Sequence, residues 1–304
     1  MAIQTVAVVG ASGNVGKPVT QALIKAGFKV TAIARESSTS TQPEGANVKK
    51  ADFSSVESLT KALEGQDAVV ITVASAAVGE QNPIIDAAIK AGAKRIIPSE
   101  FGHNPAKIKH QTLNTLLGGK HKTLEYLIEQ TKAHPATSWT GIATEPFFDW
   151  GLSAGLFGLD LKNKTIKVYD SGNQTVATSR LAFVADAVVS VLQRESETAN
   201  QYISVAEFIV TQNQVKKIIE EELGAEFQVI PVKTSDLEEA GKAAIAQGNY
   251  GASFVPFLLA YNFGDSHGHG YKAEDADNEK LGLKAINSAD VKQAVKDWLK
   301  TQTY

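Results

Sequence analysis

The feature that most constrains the fold is a glycine-rich turn that follows the first run of β-branched residues. Val6–Val9 is a short apolar run of the kind that forms a buried strand. Gly10, Gly13 and Gly16 follow it at intervals of three residues, and the helical pattern of Pro18–Ala26 comes next. A strand, a glycine turn and a helix in this order are typical of a phosphate-binding βα unit.

Each glycine has a separate task in such a turn. Gly10 permits the tight turn, Gly13 lets the backbone approach a pyrophosphate, and Gly16 lets the helix pack close to the sheet. The free N–H groups at the helix N-terminus attract phosphate. We therefore predict a dinucleotide site at this turn. Its residues are Gly10, Ser12, Gly13, Asn14, Val15 and Gly16.

The rest of the first half repeats the alternation of strand and helix. Further strand-like runs are Val30–Ala34, Ala68–Val73, Arg95–Pro98 and Ser138–Ala143. This spacing implies right-handed βαβ units and a parallel sheet with helices on both faces. We predict an α/β protein with a Rossmann-type, doubly wound parallel sheet over residues 1–150. A smaller α/β substrate-binding lobe is predicted over residues 151–304, interleaved with late elements of the sheet.

The end of the second predicted strand indicates which dinucleotide binds. NAD sites carry Asp or Glu there, whereas NADP sites need a cation and hydroxyl donors for the 2′-phosphate. Arg35 ends this strand, and we expect it to stack on the adenine and pair with the phosphate, with Ser37 or Ser38 assisting. Glu36 is expected to point to solvent. The pattern predicts NADP(H); the alternative is that Arg35 is an ordinary surface cation.

Two further segments are predicted to border the dinucleotide, because the carboxyl ends of parallel strands meet at one edge of the sheet. Asp52 and Phe53 follow the third strand, where the adenine ring would lie. Thr72 and Val73 end the fourth strand and would line the dinucleotide.

Composition excludes several classes of protein. The chain has no cysteine, which excludes disulfides, thiolate catalysis and Cys-ligated zinc or iron–sulfur sites. A formal net charge of −3 gives no excess of basic residues for binding nucleic acid. The most apolar stretch, Ala68–Val78, is shorter than the ~20 residues of a membrane span. We expect a cytoplasmic monomer or homodimer with neither a membrane nor a nucleic-acid partner.

Three features together resemble one protein family. The glycine turn, Arg35 at its strand end and the segment Ile97–Gly102, Ile-Pro-Ser-Glu-Phe-Gly, resemble the isoflavone reductase-like and NmrA-like proteins. These are atypical short-chain dehydrogenases/reductases. Pro146–Trp150 and the glycine- and histidine-containing tail are most similar to the fungal branch of secondary-metabolism reductases. The resemblance is clear over residues 3–150 and thinner beyond.

The Tyr-xxx-Lys catalytic pair of that superfamily is absent, since none of the seven tyrosines has a lysine four residues on. The absence fits the isoflavone reductase-like branch, for which the resemblance implies a lone catalytic lysine on the corresponding helix. It also fits the non-enzymatic NmrA-like sensors, which bind the dinucleotide without turning it over.

Helical geometry selects the candidate lysine. Within Leu117–Glu129 the apolar residues form one stripe, and Lys120 lies about 40° from its centre while Lys122 lies about 160° away. We predict that Lys120 faces inward, contacts the cofactor and handles the proton, because partial desolvation lowers the pKa of a lysine. Two alternatives stay open. Lys120 is a snorkelling helix lysine, or an alignment with the plant reductases places His121 in its position.

The remaining candidates surround the expected nicotinamide. Ser99 is predicted to hydrogen-bond substrate or nicotinamide, and Pro146 to border the cofactor. His267 and His269 are predicted to contact substrate from a glycine-rich loop, and without a clear third ligand they predict no metal site. Four aromatic residues are predicted to wall a pocket for a planar substrate, with core packing as the alternative for each. They are Phe101, Phe147, Phe148 and Trp150.

These observations favour an NADPH-dependent reductase of a small aromatic or enone-type metabolite, with Lys120 handling the proton. The competing hypothesis is a non-catalytic NADP(H) sensor that binds a protein partner. A solvent-exposed Lys120 or a closed pocket would favour the sensor. A lyase or isomerase that retains the cofactor is a third hypothesis.

Overall fold

A computed structural model describes residues 2–74, 79–266 and 271–302. The strands of this described part are β1 (Thr5–Val9), β2 (Lys29–Arg35), β3 (Asn47–Ala51), β4 (Ala68–Ile71), β5 (Arg95–Ile97), β6 (Ser138–Ala143), β7 (Leu159–Asp160), β8 (Thr165–Tyr169), β9 (Thr175–Thr178), β10 (Gln201–Ser204), β11 (Phe208–Thr211) and β12 (Gln228–Val232). The α-helices are α1 (Gly16–Lys25), α2 (Val56–Leu63), α3 (Asn82–Lys90), α4 (Gln111–Leu116), α5 (Gly118–Ala133), α6 (Phe148–Ser153), α7 (Leu181–Gln193), α8 (Glu195–Thr198), α9 (Gln212–Leu223), α10 (Thr234–Ala246), α11 (Tyr250–Phe263) and α12 (Val291–Leu299).

The central sheet has seven strands in the order β10–β6–β5–β4–β1–β2–β3, and each neighbouring pair is parallel. The chain builds outward from β1 to β3, then returns to β4 on the other side of β1. Ligands of open α/β sheets bind at such a reversal, outside the carboxyl ends of the strands. The predicted fold class, a doubly wound parallel sheet, is confirmed.

Helices cover both faces of the sheet because its inner strands are apolar on both sides. All four residues of β4 are buried, as expected for a central parallel strand. On one face, Val19 and Leu23 of α1 pack in one core with Val188 of α7. On the other face, Leu59 of α2 and Leu127 of α5 share a second core. The sheet is therefore held between two layers of helices.

The second half of the chain completes the central sheet and also forms a separate lobe. α7 packs on α1, and β10 extends the central sheet beside β6. The remaining strands form two small sheets, an antiparallel β9–β11 pair and a β12–β8–β7 sheet. Their shared core includes Phe148, whose ring packs edge-on against Phe157 and Phe208 at 5.5 Å between centroids. The domain boundary at residue 150 stays a prediction.

The helix α11 is the main element that the sequence pattern does not indicate. Pro256 lies inside it, and apolar residues occur around its whole circumference, so the helix shows no polar face. Its burial against α10 and α4 supplies the stabilisation that the local pattern lacks.

Candidate active site

The glycine turn is packed too tightly for side chains at two of its three glycines. Gly10 has a φ of +86°, and a Cβ there would lie 2.7 Å from the carbonyl oxygen of Thr72. A Cβ on Gly16 would lie 2.1 Å from the carbonyl oxygen of Gly10. The N–H of Gly13 donates to that same oxygen at 3.0 Å and closes the turn. The turn, the start of α1 and the end of β4 therefore meet backbone to backbone.

The start of α1 is open to an anion. No side chain caps this helix. The backbone N–H groups of Asn14 and Val15 have no acceptor among the residues described. Ser12, Gly13 and Asn14 are exposed. Uncapped N–H groups and the positive end of the helix dipole suit a phosphate at this position. The residues present therefore fit the pyrophosphate of a dinucleotide.

Two cationic side chains lie near the ends of β2 and β3. Arg35 ends β2 with its side chain exposed. Lys50, which the sequence analysis does not identify, lies opposite Ala34 on β3, and its Nζ donates to the carbonyl oxygens of Glu36 (3.2 Å) and Ser38 (3.0 Å). Both acceptors are neutral, so these contacts leave the charge of the Lys50 ammonium uncompensated. Its position on an edge strand beside Asp52 is the sequence signal that could have found it.

The other residues predicted at the adenine end differ in their surroundings. Ser37 is exposed beside the two cations. Asp52 is also exposed, and its carboxylate accepts hydrogen bonds from the Ser54 N–H (2.9 Å) and hydroxyl (2.7 Å), which lower the pKa of Asp52. Phe53 is half-buried and packs against the core beneath α2. Ser37 and Asp52 thus remain accessible to a ligand.

The hydroxyls at the ends of β4 and β5 tie neighbouring strands together. The Thr72 hydroxyl donates to the carbonyl oxygen of Val9 at 2.9 Å, and the Ser99 hydroxyl donates to that of Val73 at 2.9 Å. The Ser99 N–H donates to the side chain of Gln81 at 2.8 Å. Ser99 is 6% exposed and its proton already has an acceptor. Its hydrogen bonds therefore link the segment after β5 to the segment after β4 and to Gln81. The catalytic role of Ser99 stays a prediction.

The amine of Lys120 lies against the chain that leaves β5. Its Nζ donates to the carbonyl oxygen of Glu100 at 2.7 Å. A Cβ on Gly102 would lie 3.6 Å from the same nitrogen. Burial lowers the pKa of Lys120, and the nearby Glu100 carboxylate partly opposes that shift. Lys122 is exposed, so the two lysines point in the directions that helical geometry predicts.

His121 lies beside this amine on the same helix. It is half-buried, and its Nε2 has no hydrogen-bond partner within the described part of the chain. Burial lowers the pKa of His121, and Glu125 opposes the shift. The imidazole is therefore favoured in its neutral form, and His121 stays the alternative to Lys120.

A buried acid–base pair near Lys120 is missing from the sequence-based predictions. His103 Nδ1 lies 2.6 Å from Glu145 Oε2, and the two side chains are 6% and 1% exposed. Glu145 adopts a left-handed φ of +55°, and its N–H donates to the carbonyl oxygen of Gly102 at 3.1 Å. Burial and the charge of Glu145 raise the pKa of Tyr261 to about 12. A charged residue two positions after the end of β6 is the available sequence signal.

The four predicted wall residues separate into two groups. Trp150 is 38% exposed, and its ring meets that of half-buried Phe147 edge-on at 6.4 Å between centroids. Phe101 is 8% exposed and belongs to the core of the sheet. Phe148 is fully enclosed by the lobe core, which favours the core-packing alternative for this residue. Pro146 is half-buried, and its carbonyl oxygen accepts from the N–H of Ser179 at 3.1 Å.

His267 and His269 lie outside the described residues. Within residues 2–74, 79–266 and 271–302, no three His, Cys, Asp or Glu side chains cluster in a way that could hold a metal ion. A search of the same residues finds no helix with the length and apolar character needed to cross a membrane.

Comparison with known proteins identifies the family. The model of the NmrA-like family matches residues 2–254. The chain belongs to the NmrA-like family. It is 30% identical over 285 residues to the oxidoreductase poxI of Penicillium oxalicum, an alignment that covers 92% of this chain and 90% of that protein. The family resemblance stated from the sequence is confirmed.

Solved structures share the fold of this NmrA-like chain. The leucoanthocyanidin reductase–NADPH complex from Vitis vinifera superposes with a TM-score of 0.80 at 17% identity, covering 98% of this chain and 100% of that one. The structure of AtPrR2 with NADP+ and (+)pinoresinol gives a TM-score of 0.75 at 19% identity, covering 98% and 99%. At these identities the likeness concerns the fold alone.

The close packing of Gly10 can be tested against a glycine that shares only its backbone conformation. Gly27 has a φ of +91° and open space around its Cβ position. Gly27→Ala should cost about 1–2 kcal/mol of unfolding free energy for the left-handed conformation. Gly10→Ala should cost about 1–3 kcal/mol more, because its Cβ also meets Thr72. Urea unfolding measures both variants, and equal losses would contradict the packing argument.

Proposed function

We propose that this NmrA-like protein is an NADPH-dependent reductase of a small aromatic or enone-type metabolite. NADPH, when bound, supplies the hydride. The observation that carries the proposal is the Lys120 amine, buried and held by the Glu100 carbonyl oxygen at the carboxyl edge of the sheet, the same edge at which the glycine turn offers a phosphate site. The related fungal protein named an oxidoreductase supports the same reaction class.

Two sets of groups support NADP(H) as the cofactor. The uncapped start of α1 suits the pyrophosphate. Arg35 and Lys50 stand at the end of β2, where the 2′-phosphate of NADP(H) lies in Rossmann-type sites. A phosphate paired with a guanidinium and an ammonium gains charge-assisted hydrogen bonds that NAD(H) lacks. Complexes of structural neighbours with NADPH and NADP+ agree with this choice.

Lys120 is proposed to move the proton that accompanies reduction. An amine whose pKa is lowered by burial gives and takes a proton more readily near neutral pH. The carbonyl oxygen of Glu100 fixes the direction of the amine, so less conformational freedom is lost when substrate binds. In the reduction, Lys120 would give its proton to the substrate oxygen.

An aromatic substrate is proposed from the aromatic side chains on the segment that follows β6. Trp150 and Phe147 present an edge-to-face aromatic pair on the segment that follows β6. His103 and Glu145, bonded to each other on the segments after β5 and β6, form a buried polar pair behind this surface. The neighbour that binds (+)pinoresinol shows that a related fold accepts a ligand of this kind.

The role of Lys120 is tested by NADPH oxidation with a panel of aromatic enones, quinones and phenylpropanoids. Lys120→Ala should lower kcat/KM by about 10²–10⁴-fold, because it removes the proton donor. The exposed neighbour in Lys122→Ala should have no effect. Fluorescence titration confirms that each variant still binds NADPH.

Three outcomes separate the hypotheses. Equal turnover by Lys120→Ala and Lys122→Ala would remove the catalytic assignment and make His121 the next candidate. Tight NADPH binding by the wild type without turnover of any panel member would support the sensor. Loss of turnover confined to Lys120→Ala supports the reductase.

The choice of cofactor is tested at the two cations. Arg35→Ala and Lys50→Ala should each weaken NADPH binding by about 10–100-fold, since a hydrogen bond to a charged group contributes about 1.5–3 kcal/mol. NADH binding should change little. Lys49→Ala is the matched control, because the Lys49 ammonium donates to the carbonyl oxygen of Ala62 instead. Equal losses for NADPH and NADH would refute a 2′-phosphate site here.

A further inference from the structure

Glu100 is a buried acid that the proposed reaction does not use. Its side chain is fully inaccessible, and its Oε1 has no hydrogen-bond partner within the described residues. Its Oε2 accepts a hydrogen bond from the hydroxyl of Tyr202 at 2.8 Å. Its carbonyl oxygen holds the Lys120 amine. A buried carboxyl group with one unpaired oxygen costs stability, so this position calls for an explanation beyond packing.

The pairing of β10 with β6 places Tyr202 beside Glu100. Tyr202 of β10 pairs with Gly141 of β6, and its ring lies across that glycine. A Cβ on Gly141 would come within 2.5 Å of the ring. Gly141 does not have a left-handed φ, so the close approach of the ring is what requires glycine there. A glycine inside a strand weakens it and often marks a site of close approach.

The charges of the three groups are coupled. The pKa of Glu100 is raised overall because burial outweighs the opposing effects of the Lys120 charge and the Tyr202 hydrogen bond. Burial and the charge of Glu100 raise the pKa of Tyr202, so its hydroxyl keeps its proton and remains a donor. An ionised Glu100 in turn opposes the lowering of the Lys120 pKa by burial.

We propose that Tyr202 and Glu100 form a positioning pair for Lys120. The tyrosine hydroxyl orients the carboxyl group and favours its ionised form, and that carboxylate keeps a proton on the neighbouring amine. The pair acts through Lys120 and does not itself touch the reacting atoms. This inference rests on the proposed function, in which Lys120 gives the proton.

Other titratable groups also bear on this cluster. His121 lies beside Lys120 on α5, and the charge of Glu125 acts on His121. Glu145, paired with His103, acts on Tyr202 from the segment after β6. Tyr202→Phe removes one hydroxyl and leaves each of these side chains in place. The variant Tyr202→Phe therefore isolates the proposed pair.

The test measures the titration of Lys120 directly. Full-length protein with ¹³C-labelled lysine side chains is titrated by NMR, and the Lys120 signal is identified by its absence in Lys120→Arg. In Tyr202→Phe the carboxyl group of Glu100 loses its hydrogen-bond donor, so its pKa should rise and the group should become neutral. Without that negative charge nearby, the titration midpoint of Lys120 should fall. Glu100→Gln removes the charge outright and should lower the midpoint by roughly one unit or more. Tyr202→Phe should lower it by less.

A matched tyrosine on α5 provides the control. The Tyr126 hydroxyl donates to Asp86 at 2.6 Å, which is the same kind of tyrosine–carboxylate bond away from Lys120. Tyr126→Phe should leave the Lys120 midpoint unchanged. In the two test variants, the Lys120 limb of the kcat/KM pH profile should also move to lower pH.

The outcomes distinguish the pair from the reaction it would serve. An unchanged or raised Lys120 midpoint in folded Tyr202→Phe would contradict the proposal that Tyr202 and Glu100 position Lys120. Because Tyr202→Phe alone gives this result, the test remains valid if Glu100→Gln does not fold. A lowered midpoint in a protein that turns over no substrate would support the pair and reject the proposed reductase. A lowered midpoint with a shifted pH profile supports both.

Discussion

The structure depends first on a contact between backbones at the point where the strand order reverses. Gly10 and Gly16 allow the turn after β1, the start of α1 and Thr72 at the end of β4 to meet without side chains between them. The N–H groups of Asn14 and Val15, just before α1, have no acceptor among the described residues, and no side chain caps the helix. A single steric constraint thus creates the anion site and sets the place where a dinucleotide would begin.

The reactive end of the site depends on a second contact, between Lys120 and the chain that leaves β5. The amine is fixed by the carbonyl oxygen of Glu100, and the carboxyl group of the same residue lies within electrostatic reach. That carboxyl group is in turn fixed by Tyr202, which reaches it across Gly141. A lysine held in this way has a defined direction, and its pKa is lowered by burial against the opposing charge of Glu100. Both properties are what a proton donor requires.

Sequence reasoning predicts the parts of this molecule that local patterns determine. The glycine turn, the parallel sheet and the inward direction of Lys120 follow from spacing within a few residues. The partners of Glu100 do not, because the Tyr202 hydroxyl comes from a strand 102 residues further along the chain. Lys50 is missed because its role depends on the loop after the adjacent strand. The sequence leaves two roles open for Phe148, because an aromatic residue suits a pocket wall and a core equally, and the structure places its ring in the core of the lobe.

We propose that the carboxyl edge of the sheet holds the dinucleotide with its nicotinamide beside Lys120. The most direct measurement is a crystal structure of the protein with NADP+. We expect the pyrophosphate on the N–H groups of Asn14 and Val15 and the nicotinamide next to the Lys120 amine. A pyrophosphate bound elsewhere, or a nicotinamide separated from Lys120 by intervening protein, would contradict the account.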